Sequence, residues 1–164
     1  MADESKPVVI VTGSSGYLGA AVVRRLHGCY RVVGLDRYSP PHPPHQAECV
    51  CFDITDQASI DTALDRVRLA YGDRIAACIH LAGYFDLSGE DDPAYDAVTV
   101  EGSKRLMKGL QGFELEQFVF ASTMLAHAPT EPGEPIDEDH PLDPRFPYRA
   151  SKVRTEKVLR EVRG

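Results

Sequence analysis

Short β-branched runs alternate with amphipathic helical stretches along nearly the whole chain, and this alternation narrows the possible folds more than any other feature. Val8–Val11 reads as a strand, and Tyr17–Leu26 carries apolar residues at helical spacing. Arg31–Leu35 and Cys49–Phe52 read as the next strands, the second reached through a proline-rich loop. Ile60, Leu64, Val67, Leu69 and Ala70 mark a helix over 56–71, and Ile75–Leu81 reads as a fourth strand. Tyr95, Val98, Leu106, Met107 and Leu110 mark a long helix, and Gln117–Ala121 a fifth strand. Val153, Val158, Leu159 and Val162 give the buried side of a last helix over 148–162. Strands separated by helices in this way pair in parallel, with helices on both faces. Right-handed crossovers favour the doubly wound order. The expected architecture is therefore α/β: one doubly wound parallel sheet of about five strands over 7–164, behind a disordered segment over 1–6.

A net charge of −7 on 164 residues argues against a nucleic-acid partner, which would need a basic face. A phosphate-bearing ligand stays possible, because backbone amides at a helix N-terminus can hold one. No apolar run is long enough to span a membrane, and the polar start lacks the apolar region of a signal peptide, so a cytoplasmic location is expected. The four cysteines, Cys29, Cys49, Cys51 and Cys78, have no second Cys/His pair at ligand spacing. No metal is expected, and the thiols read as free and buried.

The sharpest local chemistry lies in Thr12-Gly13-Ser14-Ser15-Gly16-Tyr17-Leu18-Gly19, which follows a strand and opens a helix. That is the context a dinucleotide fingerprint requires. Gly13 would allow the tight turn, Gly16 the approach of a pyrophosphate, and Gly19 close packing of helix on strand. Asp36 ends the second strand, where a carboxylate accepts hydrogen bonds from an adenosine ribose and repels a 2′-phosphate. NAD is thus favoured over NADP, although the neighbouring Arg37 could hold the extra phosphate.

Tyr148 and Lys152 stand four residues apart and so share a helix face. A free tyrosine titrates near pH 10, and a nearby cation would lower that value and favour the phenolate. Such a pair is a possible proton-transfer device; a solvated helix face would account for the spacing equally. Thr123 ends a strand, where open α/β sheets place their ligands. The chain stops twelve residues past Lys152, leaving little to build a substrate pocket beyond it.

Taken together, these motifs resemble the extended short-chain dehydrogenase/reductase family, the NAD-dependent epimerase/dehydratase group acting largely on nucleotide sugars. The resemblance runs from about Pro7 to the last residue. Beyond the glycine turn, it rests on Asp53-Ile54-Thr55-Asp56, similar to the adenine-side motif, and on His80-Leu81-Ala82-Gly83, similar to a cofactor-lining strand end. It rests also on Val119-Phe120-Ala121-Ser122-Thr123, and on an acidic approach from Ile136 to Pro144 into Tyr148 and Lys152. The resemblance implies a cofactor site of Gly13, Gly16, Tyr17, Leu18, Gly19, Asp36, Arg37, Asp53, Ile54, Leu81, Ala82, Gly83 and Thr99. It implies Thr123, Tyr148 and Lys152 as catalytic, with Lys152 also reaching the nicotinamide ribose. Ser122 is the alternative hydroxyl, but the twenty-five residues from Thr123 to Tyr148 match the family better. A nucleotide-sugar substrate is implied, as is a homodimer through the helices near 95–110 and 148–162.

Two departures stand out. Thr99-Val100-Glu101-Gly102-Ser103 replaces an asparagine-containing run, and Leu125-Ala126-His127 replaces Val-Tyr-Gly. His127 reads as a loop residue, and Ser39–His45 as a stiff connector rather than a metal or proline-recognition site. Family members commonly run considerably longer, so the chain is expected to be the cofactor-binding half. Three functions follow: an NAD-dependent epimerase or dehydratase, a reductase of a non-sugar alcohol or ketone, or a dinucleotide-binding module without turnover.

Overall fold

The computed structural model of the chain describes residues 6–38, 46–86 and 88–163, with side chains through Val162. The Ser39–His45 connector, and all but Lys6 of the segment expected to be disordered, lie outside them. Among the described residues, seven strands and four α-helices follow in chain order: β1 Val8–Thr12, α1 Tyr17–Leu26, β2 Arg31–Asp36, β3 Glu48–Cys51, α2 Gln57–Tyr71, β4 Arg74–Ile75, β5 Ala77–His80, α3 Glu101–Leu110, β6 Glu114–Leu115, β7 Phe118–Phe120 and α4 Pro147–Arg163. A π-helical segment, Tyr95–Val100, runs directly into α3, and a 3₁₀ turn spans Met124–Ala126.

The main sheet is parallel, in the order β3-β2-β1-β5-β7. The chain winds outward from β1 to β3, then crosses back to β5 and β7. The ends of β1 and β5 therefore flank the switch point where such sheets bind ligands. Alternation along the strands divides the core between the two faces. Ile10, Val33, Leu35, Val50 and Cys78 pack with Ile60, Leu64 and Val67 of α2 and Leu106 and Leu110 of α3. Val9, Val11 and Val32 pack with Val23 of α1 on the other side.

Local chemistry sets the element ends. Asp56 caps α2, its carboxylate accepting from the Ala58 amide at 3.1 Å. The expected fourth strand is two pieces, because Arg74–Ile75 pairs with Glu114–Leu115 before the chain passes into the main sheet. The expected long helix begins as a π segment, a form that often marks functional sites. All four cysteines are free, but only Cys78 is buried. This corrects the expectation of buried thiols: Cys49 and Cys51 lie on the edge strand β3, and Cys29 lies in the turn after α1. Among the described residues no helix is long and apolar enough to cross a membrane.

Candidate active site

The glycine turn is built by close backbone approach. Gly13 has φ +68°, the left-handed region, and its amide donates to the Leu35 carbonyl at 2.9 Å. At Gly19 an added Cβ would stand 2.1 Å from the Gly13 oxygen, so only glycine lets α1 lie this close to the turn. The Gly16 amide closes the turn on that same oxygen at 3.1 Å. No side chain caps the start of α1, and its first turn carries no acid. The positive end of the helix, with Tyr17 and Leu18 in its first turn and exposed, is open to an anion.

Asp36 accepts from the Ser15 amide at 2.9 Å, tying the end of β2 to this turn. Across the same edge, Asp53 Oδ1 accepts from the amide and hydroxyl of Thr55, and its Oδ2 lies 3.5 Å from Arg37 Nε. The Thr55 bonds, then the Arg37 charge, hold the Asp53 carboxyl below its usual range. The Ile54 side chain is buried in the core and packs under Gly102, which leaves its backbone as the part able to face a ligand. This edge therefore holds a carboxylate at the strand end, a second acid beside it, and a guanidinium already engaged by that acid.

At the far side of the switch point, α4 brings up Tyr148 and Lys152. Lys152 is buried, only 6% exposed; its Nζ donates to the Ala121 carbonyl at 3.0 Å and lies 4.9 Å from the centre of the Phe120 ring. Burial brings its ammonium down to about 8. The Thr123 hydroxyl lies near Tyr148 and works to lower the pKa of its phenol, whereas Ser122 donates to Glu156 on the opposite side. Alternation at the strand end thus separates the two candidate hydroxyls. Phe85 stacks edge-on against Tyr148 at 5.0 Å between ring centres.

One expectation fails in the chain by itself. Lys152 does not depress Tyr148: burial raises the phenol above its ordinary value, and only the Thr123 hydroxyl opposes that rise. The ammonium is held by the Ala121 carbonyl and lies 5.9 Å from the centre of the tyrosine ring.

The loop after β5 crosses between these two clusters. Thr12 Oγ1 accepts from the amides of Leu81 and Ala82, and a Cβ on Gly83 would lie 3.4 Å from Lys152 Nζ and 3.5 Å from Thr99 Oγ1. Thr99 is fully buried, its hydroxyl oxygen accepting from the Tyr84 amide at 2.9 Å. It supports the loop from beneath. The structure thus gathers Leu81, Ala82, Gly83, Thr99 and Lys152 around one loop, and sets Asp36, Arg37 and Asp53 at the opposite edge. His127 lies past the 3₁₀ turn, its Nδ1 within 3.1 Å of the His140 carbonyl. Sequence reasoning missed Phe85, the Ala121 carbonyl and the hydroxyls of Ser103 and Thr155. The signal for the last two lay in their spacing, Thr99 to Ser103 and Ser151 to Thr155, each i to i+4.

Two clefts lie apart from these clusters. One of about 1080 Å³ is lined by Val9, Ala77, Ile79 and Val119 on the sheet face, and one of about 720 Å³ follows β7 between α3 and α4. Strand β7 is the last in the sheet order.

Comparison with known proteins agrees with the geometry. The chain is 32% identical to the UDP-glucose 4-epimerase of Mycolicibacterium smegmatis, over 94% of its own length and 51% of that protein's. It is 31% identical to the 3-beta-hydroxysteroid dehydrogenase of Mycolicibacterium neoaurum, over 92% and 42% of the two chains. Among solved structures, a short-chain dehydrogenase/reductase superfamily protein from Agrobacterium tumefaciens with bound NAD superposes with a TM-score of 0.74 at 29% identity, covering 94% of this chain and 44% of that one. The chain spans about half the length of the curated relatives it matches. The model of the NAD dependent epimerase/dehydratase family matches residues 9–164, and the chain belongs to that family.

Proposed function

We propose that this chain binds NAD across the switch point and carries the proton-transfer residues of an NAD-dependent epimerase or dehydratase acting on a nucleotide sugar. The observation that carries this proposal is the pairing of an uncapped α1 N-terminus with a buried Lys152 on the helix face that carries Tyr148, against Gly83. The glycine turn and the first amides of α1 would hold the pyrophosphate, Asp36 the adenosine ribose, and Asp53 the adenine edge. NAD supplies the hydride acceptor. Thr123 would orient a substrate hydroxyl, and Tyr148 Oη would take its proton as the carbon loses hydride. Lys152, protonated at neutral pH and placed against Gly83, would anchor the ribose and add positive charge. NADP is the less favoured cofactor, because Asp36 would repel its 2′-phosphate. Two copies would pair through α3 and α4.

A second reading is favoured by the Tyr148 phenol, which burial holds above its ordinary value. On that reading it is a dinucleotide-binding module without turnover. Conversion of a UDP-sugar to its epimer or dehydrated product by the parent, with NAD bound, separates the two, because hydride taken up by NAD returns to the sugar and no NADH accumulates. The Tyr148→Phe variant should keep its NAD affinity and lose turnover by roughly 100-fold or more. Equal turnover in parent and variant would remove Tyr148 from the mechanism.

A further inference from the structure

His80 ends β5 and is fully buried between the rings of Phe118 and Phe120, at 5.9 and 5.8 Å. Both its nitrogens are engaged: Nδ1 lies 2.6 Å from Thr12 Oγ1, and Nε2 lies 2.8 Å from Ser103 Oγ. Counting protons fixes their direction. Ser103 spends its own proton on the Thr99 carbonyl, so Nε2 must donate to Ser103. Thr12 Oγ1 accepts from the Ala82 amide and shares the Leu81 amide with the Thr12 carbonyl, which leaves its own proton for Nδ1. The imidazole is then neutral and carries its proton on Nε2. Ser103 in turn donates to the Thr99 carbonyl at 2.5 Å. Thr155 of α4 reaches the same carbonyl at 3.3 Å, sharing its hydroxyl with the Ser151 carbonyl at 2.8 Å. A doubly protonated ring would aim a second N–H at a hydroxyl that already receives the Ala82 amide and a share of the Leu81 amide. Burial, with the nearby Lys152 cation, accordingly brings the ring down to about 3.

This hydrogen-bond chain joins three parts of the proposed site. Thr12 opens the glycine turn, Thr99 supports the loop over Lys152, and Thr155 belongs to the helix bearing Lys152 and Tyr148. We propose that His80 is a positioning residue: as the Nε2–H tautomer it holds the glycine turn in register with the Thr99 loop and α4. NAD then meets its phosphate site and Lys152 at one fixed separation. The proposal rests on the NAD reading above, but the tautomer itself does not.

Two measurements test it. Nitrogen NMR of ¹⁵N-histidine-labelled parent should show one imidazole with an unprotonated Nδ1 and a protonated Nε2, unchanged through the range where ordinary histidines titrate. A protonated Nδ1, or an ordinary titration, would overturn the proposal. The second measurement is NAD affinity by calorimetry. His80→Asn can set an amide oxygen at the Nδ1 position and keep the Thr12 bond. His80→Phe fills the space between the rings and keeps neither bond. His80→Asn still breaks the Ser103 half of the link, so positioning predicts that both variants lose NAD affinity by about tenfold or more. A packing role predicts that His80→Phe stays within about threefold of the parent, and that result would overturn the proposal. Should the parent bind no NAD, the NAD reading fails, and the tautomer measurement alone decides whether His80 forms the link. If either variant fails to fold, the parent spectrum still decides.

Discussion

Replacing Lys152 by methionine should stabilise the chain at pH 7, because the site buries a charge without a counter-ion. Lys152 is 6% exposed, and its ammonium donates to a carbonyl, Ala121 O at 3.0 Å. Burial lowers it from 10.5 to about 8. Each pH unit of such a shift corresponds to about 1.4 kcal/mol, so the charged form costs the folded state about 3 kcal/mol at pH 7. Methionine removes that cost with a side chain of similar length, but leaves the Ala121 carbonyl without its donor, a loss of about 1 kcal/mol. The expected net gain is about 2 kcal/mol. Its pH dependence identifies the cause. Between pH 8 and 10.5 the folded chain releases this proton while the unfolded chain keeps it. The parent therefore gains stability relative to the variant as pH rises through that window, and at pH 7 and below the difference is flat. Urea unfolding of both proteins from pH 6 to 9.5 measures this difference directly, and other titrating groups cancel in the subtraction. A Lys152→Met variant less stable than the parent by the same amount at every pH would refute the reasoning. The same variant should bind NAD more weakly, which would place a functional cost opposite the stability gain.

Gly19→Ala puts a Cβ 2.1 Å from the Gly13 oxygen, with Ser14 Cα and Gly13 C also inside 3 Å. Backbone cannot swing aside as a side chain would, so the turn must open; calorimetry should show NAD affinity down by roughly 100-fold, and unfolding a loss of about 1–3 kcal/mol. Unchanged affinity would separate the turn from the cofactor. Asp36→Ala removes the carboxylate that the Ser15 amide holds in place, and the ratio of NAD to NADP affinity should fall by about tenfold or more. A ratio that does not move would take Asp36 out of cofactor choice.

Much of this molecule was legible because its strands are short, strongly β-branched and separated by helices of clear period. Tyr17–Leu26 needed nothing beyond apolar spacing, and Ile60, Leu64 and Val67 gave α2 in the same way. What escaped notice depends on contacts between distant segments. Two-residue strands such as Glu114–Leu115 carry no periodicity, and the π segment at Tyr95–Val100 has the same apolar pattern as an α-helix. The exposure of Cys51 follows from β3 being an edge, which composition cannot show. In the site, spacing correctly put Tyr148 and Lys152 on one helix, but not the destination of the ammonium. The Ala121 carbonyl captures it, and burial governs the phenol instead. His80 read as one letter of a motif; its role as a link needed the hydroxyls of Thr12 and Ser103, 68 and 23 residues away in sequence.

Calorimetric titration of the 164-residue chain with NAD, and separately with NADPH, tests the central claim most directly. The glycine turn, the open N-terminus of α1 and Asp36 predict saturable binding of one NAD per chain, with NADPH weaker by about tenfold or more. Absence of saturable binding to either dinucleotide would contradict the account.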